Sequence, residues 1–421
     1  MRKKILSLCM ALALCLGLLP ATALAVDTAP QTLYVGSTTI TTGYWTSSDG
    51  GTNWTSQQEE PTGDSYIHYN GQGTLELHNA TIQGGSNTVS APYGSGIYAL
   101  SSSGQPVALT IELIGTNTIT GYYGIFLNAE ISASSYGTNA TLTITGENNG
   151  SLEVSGSNHG IFVISGTGKA SLTINDASVV AKTTQTYSGN AGVCVQSGAS
   201  ATNSPNISLS VDGGSLTTSA SEGNDGIQFY VGLFEATGAT TSLTITDHAI
   251  VDARNGGISA LKISETLPTP TPTGDNRSGI VFDGTEGTVY GSVTLQEDLT
   301  IGEGESLTIP DGSSLNANGK LTNDGTINVE SGGSVSGSLS GGSTEITTPT
   351  ITTHPTSQTV TEGNPATFSV TASDAQTYQW QQSTDNGSSW ADINGAASAS
   401  YTTAATTTDM NGNQYRCMVK S

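Results

Sequence analysis

His159 to Ile164 reads HGIFVI, a short apolar strand opened by a glycine, and its core keeps returning along the chain. GIYAL begins at Gly96, GIFLN at Gly124, GVCVQ at Gly192, GIQFY at Gly226, GISAL at Gly257 and GIVFD at Gly279. A second series keeps step with it: TLEL around Leu75, LTIEL at Leu109, LTI at Leu142 and Leu172, LSV at Leu209 and LTI at Leu243, with 30 to 37 residues between successive leucines. A third series falls between the two, at Ile82, Ile119, Leu152–Val154, Val179–Val180, Leu216 and Ile250–Val251. Each period thus holds three short strands separated by turn residues.

The strands alternate apolar and polar with period two, and no helical periodicity follows the first residues of the chain. Three strands per period with variable loops predict an all-β, right-handed parallel β-helix, one coil per period, with equivalent residues stacked about 4.8 Å apart. Positions one and three after each glycine point inward: Ile97/Ala99, Ile125/Leu127, Ile161/Val163, Val193/Val195, Ile227/Phe229, Ile258/Ala260 and Ile280/Phe282. In the LTI strands the two apolar ends point inward and Thr outward. Glycine is expected at the strand start because a corner between sheets needs backbone freedom.

Composition sets the surroundings. Arg2, Lys3 and Lys4 precede an apolar run from Ile5 to Leu19 and the small-x-small site Ala23-Leu24-Ala25, so residues 1–25 read as a secretory signal peptide. The apolar core is short for a bilayer span, and membrane insertion of the mature chain is not expected. The formal charge is −23, and losing those three basic residues makes it more negative, so the surface is expected to repel nucleic acid and anionic membranes and argues against polyanions such as pectin as ligands. Only Cys194 and Cys417 remain in the mature chain, in different segments, so disulfides do not scaffold it.

Residues 26–70, with Tyr44, Trp45, Trp54, Tyr66 and Tyr69, read as an N-terminal cap on a helix spanning 71–263. The stretch SETLPTPTPTGDNRS, residues 264–278, reads as an extended loop or linker. Apolar positions then recur every six to eight residues over 279–342, as tighter coils that finish the solenoid. Residues 343–350 are a linker, and from Ile351 the pattern changes. Trp380 in TYQW, and Tyr415 and Cys417 in QYRC, resemble the core tryptophan, tyrosine corner and strand-F cysteine of bacterial immunoglobulin-like domains. The resemblance implies a β-sandwich over 351–421 with those three residues in its core. Val370 stands where a disulfide partner would, leaving Cys417 a buried free thiol beside Trp380. The sequence ends just after the strand-F pattern, so this sandwich is expected to be partial.

Residues 31 to 342 resemble, at the level of architecture, the helices of pectate-lyase-like proteins and of surface proteins of Gram-positive bacteria. That superfamily implies carboxylate pairs, or calcium-bound carboxylates with basic residues, on neighbouring coils. Here the only basic residues in the helix are Lys169, Lys182, Arg254, Lys262, Arg277 and Lys320. The nearest catalytic set is His159, Asp225 and Arg254, and its plainer reading is an Asp225–Arg254 salt bridge one coil apart. No calcium-loop motif is present, and neither metal nor cofactor is expected.

One outward column stands out: Tyr98, Phe126 and Phe162, followed by Cys194, Gln228 and Ser259. Stacked rings there bind sugar faces, with Tyr122, Tyr123 and Asn128 adding polar contacts. The competing expectation is that a loop such as 128–140 or 183–190 folds over them. Together these features predict a secreted or cell-surface, non-catalytic, adhesin-like protein whose partner is a glycan or a host or cell-wall surface. The alternative is a polysaccharide lyase or glycoside hydrolase with a divergent site.

Overall fold

The computed structural model describes residues 28–420 apart from 85–93, 102–104, 130–137, 167, 187–188, 199–205, 233–238, 263–264, 343–345, 348, 374 and 376. The signal peptide assigned to residues 1–25 therefore lies outside the described residues. The three repeated series form three parallel sheets around one axis, called here the leucine, middle and glycine sheets. In the glycine sheet Ile97, Ile125, Ile161, Val193, Ile227 and Ile258 pair in sequence, as do Ala99, Leu127, Val163, Val195, Phe229 and Ala260. In the leucine sheet Leu109, Leu142, Leu172, Leu209 and Leu243 stack, with Ile111, Ile144, Ile174, Val211 and Ile245 beside them. All of these side chains are buried in one axial core. Period-two alternation produces it, because every second side chain of each strand must face the axis.

Two registers differ from the sequence expectation. The first coil is offset by two residues, so Leu75 lies on Ile111 and Leu77 on Leu113. The strand Gly279–Asp283 does not continue the glycine sheet but joins the middle one, placing Ile280 on Ile250 and Val281 on Val251. Its Val281 faces the axial core, whereas Ile280 and Phe282 face a second one.

Most glycines that open the strands act through space rather than backbone freedom, whereas Gly257 has a φ of 70° and uses that freedom as expected. None of Gly96, Gly124, Gly160, Gly192 and Gly226 has a positive φ. A Cβ on Gly96 would overlap Ile119 Cγ2, on Gly124 Val154 Cγ2, and on Gly192 the Ala181 carbonyl. The glycine and middle sheets thus approach too closely at this corner for any side chain. Left-handed backbone occurs instead between the leucine and middle sheets. There Asn79, Gly115, Asp176, Gly213 and Asp247 have φ of 44°, 69°, 50°, 68° and 49°, and Asn, Asp and Gly are the residues that tolerate it.

Both ends are closed by chain that stops further pairing. Thr32–Val35 runs antiparallel along Ile97–Leu100, and Tyr66–Tyr69 antiparallel along Thr74–His78. At the far end, residues 264–278 are more than a linker. Glu265–Thr266 pairs antiparallel with Leu261–Lys262, Pro272 bridges Leu243, and the Thr273 and Ser278 amides donate to Leu243 and Ile245 carbonyls. Proline lacks the donor a next coil would need, so it blunts this edge.

The 279–342 coils form a second solenoid with its own core, joined to the first through Gly279–Asp283. The hairpin Gly279–Asp283/Glu286–Tyr290 is antiparallel, after which three short parallel sheets enclose Val289, Val293, Leu299, Leu307, Leu315, Leu321 and Ile327. The chain ends in small antiparallel sheets, Thr350–Thr353 with Thr371–Ser373, Thr367–Ser369 with Ser400–Thr402, and Thr377–Ser383 with Ala391–Asp392 and Gln414–Lys420, consistent with a partial β-sandwich.

Candidate ligand-binding faces

The outward column of the glycine sheet is in the register read from the sequence. Tyr98, Phe126, Phe162, Cys194, Gln228 and Ser259 lie on successive coils. The rings stack on one another, Tyr98 5.1 Å from Phe126 and Phe126 5.0 Å from Phe162 between centroids, and Tyr34 from the cap extends the row at 6.2 Å. Tyr123 packs against both phenylalanines, at 4.6 and 5.5 Å, with Tyr122 edge-on to it at 4.9 Å. Asn158 Nδ2 donates to the Tyr122 hydroxyl at 3.1 Å, and Asn128 Nδ2 lies 3.5 Å from that of Tyr98. Tyr98, Phe126 and Phe162 are only 7, 8 and 8% exposed and form a cluster apart from the axial core. They sit on the outer wall as expected but offer no open ring face to a sugar. Of the loops named as covers, 130–137 and 187–188 lie outside the described residues.

The catalytic candidates do not assemble. His159 and Asp225 flank Ala191 in one column, two coils apart. His159 Nδ1 accepts the Ala191 amide at 2.9 Å, and the Asp225 carboxylate accepts Gln228 Nε2 at 2.8 Å. The anticipated Asp225–Arg254 bridge does not form. Arg254 instead donates to Asp252, to Glu305 at 2.7 Å and to the Thr300 carbonyl at 2.7 Å, with its guanidinium 4.7 Å from the Phe282 centroid. These contacts raise its pKa, through the Asp252 hydrogen bond first, and tie the long solenoid to the second one. Cys194 is buried, donates to Gln228 Oε1 at 3.5 Å, and burial pushes its pKa far up, which disfavours the thiolate that a nucleophile needs. Among the described residues no group of three or more His, Cys, Asp or Glu is placed to hold a metal ion, and no helix is long and apolar enough to cross a membrane.

The burial of His159 is expected to make the fold acid-sensitive. Burial lowers its pKa from 6.5 to about 4, against a smaller opposing effect of the Ala191 amide. The unfolded chain then binds more protons than the native one between pH 6.5 and 4, so stability is full above that window. It falls across the window by up to about 3 kcal/mol. Denaturant unfolding at pH 7 and pH 4 is expected to show this loss, and His159→Asn, whose Oδ1 replaces the Nδ1 acceptor, is expected to remove most of it. An unchanged pH dependence in the variant would assign the loss to other groups.

The outer side of the leucine sheet carries a face with no catalytic or metal-binding motif. Thr74, Thr110, Thr143, Thr173, Ser210 and Thr244 fall in one register, a hydroxyl on every coil. All are partly exposed, and none of their hydroxyls has a hydrogen-bond partner among the described residues. A parallel rank of Thr141, Ser171, Ser208 and Ser242 lies on one side. On the other run Glu76, Glu112, Thr145, Asn175, Asp212 and Thr246. Glu76 is 3.1 Å from His68 and 3.4 Å from His78, and these rings stack on Tyr44 and Tyr66 at 4.3 and 4.0 Å. Burial, then Glu76 and Glu147, raise the Glu112 pKa. The signal for this face was the outward Thr of each LTI strand, which composition makes look like ordinary strand filler.

In the C-terminal region Trp380 is fully buried, pairs across the sheet with Cys417, and donates from Nε1 to the Ser398 carbonyl at 2.9 Å. Cys417 is a free thiol only half-buried, with its pKa raised to about 11 by burial. Tyr415 stacks on Phe368 at 4.7 Å, but its buried hydroxyl has no partner among the described residues, unlike that of a tyrosine corner. Residues 350–421 match a domain family described only as a domain of unknown function (DUF8696). No curated protein and no solved structure matches the chain.

Proposed function

We propose that this is a secreted or cell-surface, non-catalytic binding protein whose long solenoid engages a glycan on a host or cell-wall surface. The supporting observation is the rank of hydroxyls from Thr74 to Thr244, partly exposed, without hydrogen-bond partners among the described residues and repeated once per coil on an outer sheet face. Polar groups held in fixed register without internal partners are pre-organised for an external one. The acidic balance disfavours polyanions. In this reading the solenoid is of the pectate-lyase-like kind used as a scaffold, as in Gram-positive surface proteins, and the C-terminal region is an immunoglobulin-like spacer, supported by Trp380 opposite Cys417.

The purified chain on a glycan array is expected to be retained on neutral polysaccharides, and incubation with them to release no reducing ends and no unsaturated products. Release of either would replace this reading with a hydrolase or lyase.

A further inference from the structure

We infer that the stretch from Thr266 to Thr273 is a one-sided strand, which binds the last coil of the long solenoid and denies its own outer edge to a second copy of the chain. Alternate residues of an extended segment turn their main-chain groups to opposite sides, and here the odd-numbered residues turn inward. The Leu267 amide donates to the Ala260 carbonyl at 2.8 Å in the glycine sheet, and the Thr273 amide to the Leu243 carbonyl at 3.2 Å in the leucine sheet. Pro268, Pro270 and Pro272 hold even positions, whose nitrogens face away from the solenoid. All three therefore lack the N–H that an incoming strand would need. The acceptor side is blocked as well, because the outward carbonyl of Pro272 accepts Arg277 Nη1 at 3.2 Å.

The remaining residues show what the prolines prevent. Thr269, Thr271 and Thr273 are exposed, and threonine is a strong strand former, so without the rings this stretch would be an ordinary polar edge strand. No charged side chain lies between Thr266 and Thr273 to hold like copies apart. Antiparallel pairing of an edge with itself closes about a two-fold axis, so the same stretch on a second copy is the partner that fits it. Inward binding does not depend on the missing donors. Leu267 packs against the axial core and Pro272 is buried. The rings also restrict the stretch before it docks, which lowers the entropy lost on docking.

The test is the mass of the full chain in solution, read by sedimentation velocity over rising concentration. The parent is expected to stay monomeric, and Pro268→Thr/Pro270→Thr/Pro272→Thr to reach about twice the parent's mass at the same concentrations. Hydrogen exchange is expected to show the Leu267 and Thr273 amides protected in both, so that the stretch is still seated. Thr273→Pro, which removes an inward donor and restores none outward, is expected to lose protection at Leu267 and remain monomeric. If the triple variant unseats the stretch, Pro270→Thr alone carries the test: with one donor restored it is expected to associate more weakly, and a monomer would overturn the inference. A seated triple variant that stays monomeric, a Thr273→Pro variant that associates as strongly as the triple one, or a parent that already pairs through this stretch would overturn it too.

Discussion

Phe229→Ala is expected to destabilise the long solenoid by about 3–5 kcal/mol, the range for deleting a fully buried aromatic side chain. Phe229 has no exposed surface and lies between Val195 and Ala260 on the adjoining coils of the glycine sheet. It is the only aromatic in that inward row, and the small Ala260 above it makes room for the ring. Removing the ring leaves a void that backbone locked into parallel pairing on both sides cannot collapse to fill. Solenoid stability is a sum over coils and their interfaces, so one damaged coil weakens both neighbours. Denaturant unfolding of the full chain should show the loss, while Thr244→Val on the outer face should fall within about 0.5 kcal/mol of the parent. A Phe229→Ala cost under about 1 kcal/mol would mean that this row is not packed along the axis.

How much of this was legible in the sequence differs from element to element, for physical reasons. The inward pairs from Ile97/Ala99 to Ile258/Ala260 were readable because strict alternation has one solution when one face must be dry. The place of GIVFD was not. Gly279 and Ile280 repeat the motif, yet only pairing across Ala249–Ala253 reveals a strand with an apolar face on each side, shared by two cores. The Pro/Thr stretch looked like a linker because its composition is a linker's. Its capping role depends on Thr273 and Ser278 donating to the last leucine strand, a contact no local pattern announces. The aromatic column was predicted in register and on the right wall, but burial is a property of the assembled surface, and Phe126 and Phe162 use their faces on each other. Arg254 illustrates the same limit: its partner Glu305 is distant in sequence and arrives only through the second solenoid.

Trp380→Ala is expected to unfold the C-terminal antiparallel region while leaving both solenoids folded. The buried apolar core there is small, with Val370, Ala396 and Val419 joining Trp380 among its well-buried members. Losing the indole costs about 3–5 kcal/mol, comparable with the entire net stability of a region of this size. It also orphans the Ser398 carbonyl that now accepts Nε1. The solenoid cores share no buried residue with this cluster, so their unfolding should be little changed. Calorimetry should therefore show the variant losing one transition and keeping the other. Limited proteolysis should digest the chain beyond about residue 350, where the family match begins, and spare what precedes it. Trp380→Phe, which keeps most of the packing but not the Nε1–H donor, should fall between the two. If Trp380→Ala instead lowered a single transition shared by the whole chain, the C-terminal region would be an integral part of the solenoid's cooperative unit, and its proposed role as a spacer would fall with that result.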